Sequence, residues 1–263
     1  MPTDDALTAA DLPPPLLTLP LPGGAAEECV AVEMPVALTV NGISQAVMLA
    51  TPADLEDFAL GFALNEGWIS ARQDLLDVEV LTQLDGIELA LQVTAAREQQ
   101  LKARRRMLAG RTGCGLCGLE SLSQVSAVSP HPVQAPSLAP GALDRAVAAL
   151  APAQVLNARC GGLHAAAWCD RTGALQLARE DVGRHNALDK LCGALARRTE
   201  PAGDGFILMS SRASFELVHK TAMAGVGLLA CMSAPSSLAI ETAQKLGLQL
   251  WAFVREGRAT RYA

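Results

Sequence analysis

Five apolar segments in the C-terminal quarter of the chain decide the fold: FILM (206–209), FELVHKTAMA (215–224), LLACM (228–232), LAIETAQKL (238–246) and LQLWAFV (248–254). The first, third and fifth segments are short apolar runs typical of buried strands, whereas the other two have helical spacing. Strands that alternate with helices form a parallel sheet covered by helices, with right-handed crossovers. The sequence therefore predicts an α/β domain here.

This α/β domain is predicted to extend over residues 141–263. An alanine-rich amphipathic helix covers residues 143–156, and strands at 165–170 and 174–178 are joined by a turn at Arg171-Thr172-Gly173. Leu188, Leu191 and Leu195 follow at the spacing of another helix. A mixed, largely parallel sheet is expected.

A smaller α+β domain is predicted over residues 27–110. Asn41-Gly42 and Asp85-Gly86 are hairpin turns between strand-like segments, and Thr51 is a candidate N-cap for the helix that follows. Residues 1–26 predict a flexible leader because they are rich in proline and have little periodicity. Residues 111–140 are expected to form a thiol-bearing loop and a linker that contains several prolines.

Composition restricts the classes of function. The net charge of −6 and the pI of about 5.3 disfavour a nucleic-acid-binding protein. The sequence has no basic, apolar signal peptide and no apolar run long enough to span a bilayer, so neither a membrane association nor secretion is expected. A cytoplasmic location is the default prediction, and seven cysteines, an odd number, suit reduced thiols better than a disulfide framework.

The predicted parallel sheet also predicts a binding edge. Loops that follow parallel strands emerge at the carboxyl ends of the strands, and here they are residues 210–214, 233–237 and 255–258. Their hydroxyl groups, guanidinium groups and helix N-termini suit an anion such as a phosphate. Each serine taken alone, for example Ser214 or Ser236, is also explained as an ordinary N-cap.

The sharpest chemical signal is the segment RTGCGLCG (111–118), which places Cys114 and Cys117 between glycines. A basic cluster lies just upstream, at Lys102 and at residues 104–106. Positive charge lowers the pKa of a thiol, and the thiolate is the form that attacks sulfur. A thioredoxin-type site or a zinc deaminase fits this context poorly, while a structural zinc site remains an alternative although no second ligand pair follows at the usual spacing.

Five blocks of sequence, taken together, indicate a family. They are PVAL (35–38) with NGIS (41–44), FALGF (58–62) with EG (66–67), GCGLCG (113–118), EDVGRHNALDK (180–190) and SSRAS (210–214). In these blocks the chain resembles the formate dehydrogenase accessory sulfurtransferases, and the resemblance extends from residue 28 to the end of the chain.

The resemblance implies an enzyme, a sulfurtransferase that uses a cysteine persulfide. Such a sulfur carrier accepts sulfur from a cysteine desulfurase and passes it to the molybdenum bis(molybdopterin guanine dinucleotide) cofactor, a bound substrate that formate dehydrogenase requires. Cys114 would hold the persulfide and Cys117 would assist as a second thiol. The segment Phe253, Val254, Arg255, Glu256, Gly257 and Arg258 would contact the guanine dinucleotide, with Ser211 and Arg212 at the same edge.

The family also implies a cytidine-deaminase-like three-layer fold without zinc for the second domain, and a homodimer. No permanently bound cofactor or metal is expected. Cys160 stands where the family more often has threonine, so it is either a third thiol at the site or, as we favour, a buried structural cysteine. His185 either opens a helix whose N-terminus faces an anion or is satisfied by Asp181 or Glu180, and its role stays unassigned. Two rival functions remain: a cofactor chaperone whose thiols only stabilise a loop, and a structural zinc protein.

Overall fold

A computed structural model describes residues 12–23, 26–109, 131–255 and 257–263, with the side chains of residues 104–109 left out. The chain forms a mixed α/β fold with three sheets, which confirms the predicted fold class. Within the described residues, no helix is both long and apolar enough to cross a membrane.

The first sheet is a two-stranded antiparallel hairpin. Its strands are β1 (Leu16–Pro20) and β2 (Glu27–Ala31). Strand β1 lies inside the predicted flexible leader, so that prediction is wrong for these five residues. The reason is pairing with β2 and burial of Leu16, two contacts that residues 1–26 do not reveal by themselves.

The second sheet has four strands. Its strands are β3 (Met34–Val40), β4 (Ile43–Ala50), β5 (Leu75–Gln83) and β6 (Gly86–Val93), in the order β4-β3-β6-β5. Both predicted hairpin turns are present, and Asn41 and Gly42 both adopt the positive φ angles that a tight turn requires. Helix α1 (Leu55–Asn65) packs on this sheet, and helix α2 (Ala95–Ala109) follows β6.

Helix α1 begins at Leu55, so Thr51 is not its N-cap. Thr51 is buried, its backbone N–H donates to Asp181 Oδ2 (3.0 Å), and its hydroxyl accepts from Val182 N (3.2 Å). These partners lie more than a hundred residues away in sequence, which is why local pattern analysis assigned Thr51 wrongly.

The third sheet has six strands, β7 (His164–Asp170), β8 (Leu175–Asp181), β9 (Gly205–Met209), β10 (Leu228–Cys231), β11 (Gln249–Arg255) and β12 (Arg258–Arg261), in the order β12-β11-β10-β9-β7-β8. Its helices are α3 (Ala142–Ala153), α4 (Asn157–Cys160), α5 (Arg184–Ala196), α6 (Phe215–Met223) and α7 (Ser237–Leu246). The sheet is mixed: β9, β10 and β11 are parallel, and the remaining pairings are antiparallel.

Helices α1 and α5 join the two larger sheets through a close crossing. A Cβ atom at Gly61 would lie 1.8 Å from the carbonyl oxygen of Asp189, and one at Gly193 would lie 1.9 Å from that of Asp57. Only glycine permits this approach of the two backbones.

Buried charges reinforce the crossing. The Lys190 ammonium lies 2.7 Å from Asp181 Oδ2 and also donates to the carbonyl oxygen of Thr51, and both charged side chains are fully buried. Lys220 lies 2.6 Å from Asp189, which also accepts from Asn65. The sequence block 180–190 therefore builds the junction between the sheets.

Candidate functional site

One edge of the six-stranded sheet collects most of the polar groups that the sequence singled out. The carboxyl ends of β9, β10 and β11 open on this edge because these strands are parallel. Strand β7 runs the other way, so its first residue, His164, lies at the same edge, where Ser210 donates its N–H to Ala165 O (3.0 Å). Strand β8 ends there too and leads into α5 at Arg184.

The loops after β9 and β10 are tied to each other. Ala213 N donates to Ala234 O (3.0 Å), and Ser236 N donates to Ala213 O (3.0 Å). Backbone hydrogen bonds thus fix the relative position of the two loops that precede α6 and α7.

A cleft of about 380 Å³ lies between these loops and the start of α5. It is lined by Arg184, Arg212, Ala213, Ser214, Ala234, Pro235 and Ser236. The Nε atom of Arg184 is buried, and the described residues offer it no hydrogen-bond partner. Since a buried guanidinium group normally has its donors paired, this atom indicates a site for an anion.

The two serines at the cleft differ in role. Ser236 caps α7 by accepting from Ala239 N (3.2 Å), as the ordinary interpretation of a serine at this position predicts. Ser214 occupies the N-cap position of α6 without making that bond, and its hydroxyl lies 3.4 Å from His185 Nε2 instead.

The His185 imidazole contacts both Ser214 and Glu216. Its Nε2 lies 3.3 Å from Glu216 Oε2, and hydrogen bonds from His185 and Ser214 lower the pKa of the Glu216 carboxyl to about 2. Glu180 and Asp181, the partners considered from sequence, are engaged elsewhere: Glu180 accepts from the backbone at the start of α4, and Asp181 pairs with Lys190.

His164 adds a second imidazole to the same edge. Burial and the neighbouring Arg184 and His185 side chains lower its pKa. The lowered pKa favours the uncharged form of the His164 imidazole, and the guanidinium groups of Arg184 and Arg212 bring positive charge to the cleft.

The segment 253–258 continues this edge. Phe253 has a φ angle of +52°, a left-handed conformation that is rare for a bulky residue, and it lies at an irregularity in the β11–β12 pairing. Its N–H donates to Ser233 O (3.2 Å), and the Arg258 guanidinium lies 5.9 Å from its ring centre. Such local strain is frequent at functional sites.

The other residues that were predicted to bind the cofactor differ in their exposure to solvent. Arg255, Gly257 and Arg258 are exposed, whereas Val254 is fully buried in the core, so its side chain is not available to a ligand. Ser211 is also buried, and its hydroxyl donates to the carbonyl oxygen of Arg212. Glu256 lies outside the described residues.

The thiol pair, Cys114 and Cys117, also lies outside the described residues. The described chain resumes after it at residue 131, and Val133 N donates to Leu246 O (3.0 Å) at the end of α7. This point is at the edge of the sheet opposite to the cleft, because α7 begins at the cleft and ends at the other edge.

Five other cysteines are described, and all are reduced. Burial raises the pKa of Cys169 and Cys192 to about 12 and raises that of Cys231 further, so these thiols are poor nucleophiles. Cys29 and Cys160 are partly exposed, which corrects the expectation that Cys160 is buried.

Comparison with known proteins places the chain in a family. The model of the FdhD/NarQ family matches residues 31–263, which is most of the chain. The chain belongs to the FdhD/NarQ family. This confirms the resemblance drawn from the five sequence blocks.

Relatives of known name are close in sequence to this FdhD/NarQ chain. A sulfur carrier protein FdhD of Variovorax paradoxus is 57% identical over 226 residues, covering 86% of this chain and 81% of the relative. Another, from Burkholderia cenocepacia, is 52% identical over 245 residues, with 89% and 88% covered. A crystal structure from Desulfotalea psychrophila, named as a formate dehydrogenase accessory protein, shares the fold with a TM-score of 0.68 and 23% identity over 94% of both chains.

Arg184 is the main residue of this FdhD/NarQ site that sequence reasoning missed. The sequence contained an indication of this role, because Arg184 follows the end of a strand and opens a helix, as the residues of the predicted loops do. Among the described residues no group of three or more His, Cys, Asp or Glu side chains is arranged to hold a metal ion.

Proposed function

We propose that this FdhD/NarQ protein is a sulfurtransferase that carries sulfur to the molybdenum bis(molybdopterin guanine dinucleotide) cofactor of formate dehydrogenase. Support comes from relatives named sulfur carrier protein FdhD at 50–57% identity, and from the glycine-flanked thiol pair of this sequence. The donor is a cysteine desulfurase. The protein works in the cytoplasm, as a homodimer.

The chemical step uses Cys114. Its thiolate attacks the outer sulfur of the desulfurase persulfide, so that a new S–S bond forms on Cys114 and the donor cysteine leaves as a thiolate. Cys114 then carries one additional sulfur atom, and Cys117 assists as the second thiol. No oxidant or reductant is consumed, because the sulfur only exchanges one thiol partner for another.

The cleft at the sheet edge docks the cofactor through its phosphates. The observation that supports this most directly is the buried Nε of Arg184, which has no partner among the described residues. Arg212 lines the same cleft, and the first turns of α6 and α7 adjoin it. Two guanidinium groups and two helix N-termini form a strongly favourable site for a diphosphate.

Nucleotide binding by variants tests the docking site. In calorimetric titrations with GDP, we expect Arg184→Gln and Arg212→Gln each to weaken binding about tenfold, because each removes charge-assisted hydrogen bonds. Arg171→Gln is the matched control, since Arg171 is exposed and pairs with Asp204 away from the cleft. Unchanged GDP affinity in both cleft variants would remove the cleft from the proposal.

A cofactor chaperone without sulfur chemistry is the rival function. It predicts that a Cys114→Ala, Cys117→Ala double variant still supports an active formate dehydrogenase in cells that lack the wild-type protein. The sulfur-carrier proposal predicts an inactive dehydrogenase with the same variant, provided that equal amounts of the two proteins accumulate.

A further inference from the structure

The β1–β2 hairpin has three leucine side chains that the described residues leave open to solvent. Leu17 and Leu19 on β1 are 46% and 47% exposed, and Leu21, directly after the strand, is 42% exposed. These residues alternate along an extended segment, so their side chains share one face of the hairpin. A single exposed leucine is ordinary, but several on one face form an apolar patch, which is typical of a contact with another protein.

The opposite face of the hairpin contacts the rest of the protein. Leu16 is buried, and a Cβ atom at Gly162 would lie 3.9 Å from the Cβ of Ala31, the residue that pairs with Leu16. Helix α4 also packs against β2. The leucine face is therefore the outer face, which in an antiparallel sheet is normally polar, so the fold itself does not explain its leucines.

The hairpin lies beside the edge of the six-stranded sheet on which the arginine cleft opens. Gly162 comes two residues before His164, the first residue of β7, which lies at that edge. Glu180, near the end of β8 at the same edge, holds α4 by accepting from Leu156 N (2.9 Å) and Asn157 N (2.8 Å). A protein bound to the leucine face would therefore lie next to the cleft.

The surroundings of the leucine face are acidic. Glu27 and Glu28 on β2 and Glu33 after it are exposed. The first 71 residues of the chain contain ten aspartate or glutamate residues and no lysine or arginine. A protein that complements this surface has apolar side chains flanked by lysine or arginine.

A second copy of the same hairpin fits this surface poorly. Across a two-fold axis the two hairpins would bring their own glutamates together, and like charges repel. Three leucine side chains also cover only a small part of the about 800 Å² per partner that a stable interface buries. The surface is therefore suited to a different protein, as one part of a larger or a transient contact.

We infer that the leucine face of the β1–β2 hairpin binds an apolar, basic patch of formate dehydrogenase and holds this client beside the arginine cleft. This inference rests on the proposed function, which supplies the client. The family gives the hairpin no role, because the match to the FdhD/NarQ model begins at Ala31, the last residue of β2.

Binding of the purified full-length protein to cofactor-free formate dehydrogenase of the same organism, measured by biolayer interferometry, is the test. A Leu17→Ser, Leu19→Ser variant is expected to bind the dehydrogenase about tenfold more weakly, because it removes two apolar side chains from the contact. A Glu27→Lys, Glu28→Lys variant keeps these leucines and is expected to lose about as much. Added salt should weaken binding of the wild type more than that of this second variant.

Exposed residues of β5 provide matched controls. Leu76 is 66% exposed and lines a pocket with Arg197, directly after the end of α5, whereas the arginine cleft lies at the beginning of α5. Leu76→Ser and an Asp77→Lys, Glu79→Lys variant should bind the dehydrogenase as the wild type does. No hairpin residue lines the arginine cleft, so both hairpin variants should keep the wild-type affinity for GDP.

The outcomes separate this inference from the proposed function. The binding measurement needs no sulfur on Cys114, so a failure of sulfur loading does not affect it. If the leucine variant does not fold, the glutamate variant decides. Wild-type affinity for the dehydrogenase in the folded hairpin variants, or no binding by the wild type, would overturn the inference. It would also be overturned if the variants lost binding to the cysteine desulfurase, or self-association, in place of binding to the dehydrogenase.

Discussion

At the residue scale, one buried carboxylate makes several of the polar contacts that join the two larger sheets. Asp181 is fully buried, pairs with Lys190, and accepts hydrogen bonds from Thr51 N, Gly183 N and Asn186 Nδ2. Burial lowers the pKa of Lys190, and the Asp181 charge opposes this effect. The lysine therefore depends on its partner to remain charged in the folded protein.

Replacing Asp181 with asparagine should lower the free energy of unfolding by about 3–5 kcal/mol, because it leaves a buried ammonium group without its counter-charge. Urea denaturation followed by circular dichroism measures this change. Asp204→Asn, which breaks the exposed pair with Arg171, should cost less than about 0.5 kcal/mol. Equal losses in the two variants would show that the buried pair does not stabilise the junction.

A second residue-scale prediction concerns the titration of Glu216. Its folded-state pKa of about 2 lies below the usual 4.5, so its contribution to stability is present above pH 4.5 and is lost as the pH falls towards 2. Carboxyl NMR titration should place its midpoint near pH 2 in the wild type. In His185→Gln the midpoint should rise towards 4.5, and an unchanged midpoint would exclude His185 as the main cause.

At the element scale, the crossing of α1 and α5 joins the sheets through backbone contact. Gly193→Ala should destabilise the protein by about 1–3 kcal/mol or more, because its Cβ would lie 1.9 Å from Asp57 O. Gly162→Ala is the matched control, since its nearest neighbour would be 3.9 Å away. Denaturation midpoints of the two variants give the comparison, and a Gly193→Ala protein as stable as the control would contradict the close crossing.

The elements also show what the sequence could predict. The strands and helices between residues 205 and 255 were predictable because their apolar residues recur at regular spacing and each segment is long enough to show that spacing. Strand β1 and the position of Thr51 were not, because both depend on partners outside the local sequence.

The site was predictable to a similar extent. The loops at the sheet edge and Arg212 followed from the order of strands and helices, since topology determines which loops share an edge. The position of Arg184 after a strand and at the start of a helix was visible in the sequence, but the unpaired state of its Nε and the burial of Val254 depend on packing in three dimensions, which no sequence pattern shows.

At the scale of the whole molecule, sulfur loading and cofactor docking are predicted to be separable. The proposed sulfur step uses only the thiols of Cys114 and Cys117, whereas the proposed docking step uses Arg184 and Arg212, which line the cleft at the edge of the six-stranded sheet. An Arg184→Gln, Arg212→Gln variant should therefore gain sulfur from a desulfurase as the wild type does, yet fail to restore formate dehydrogenase activity in cells that lack the protein. Loss of sulfur loading in this variant would show that the two tasks share one site.

The central claim is that Cys114 carries the sulfur, and intact mass spectrometry under non-reducing conditions tests it most directly. The wild type, Cys114→Ala and Cys117→Ala are each incubated with a cysteine desulfurase and free cysteine before the mass is recorded. We expect the wild type and Cys117→Ala each to gain one sulfur atom and Cys114→Ala to gain none. Absence of added sulfur from all three proteins, with an active desulfurase present, would contradict it and favour the cofactor chaperone.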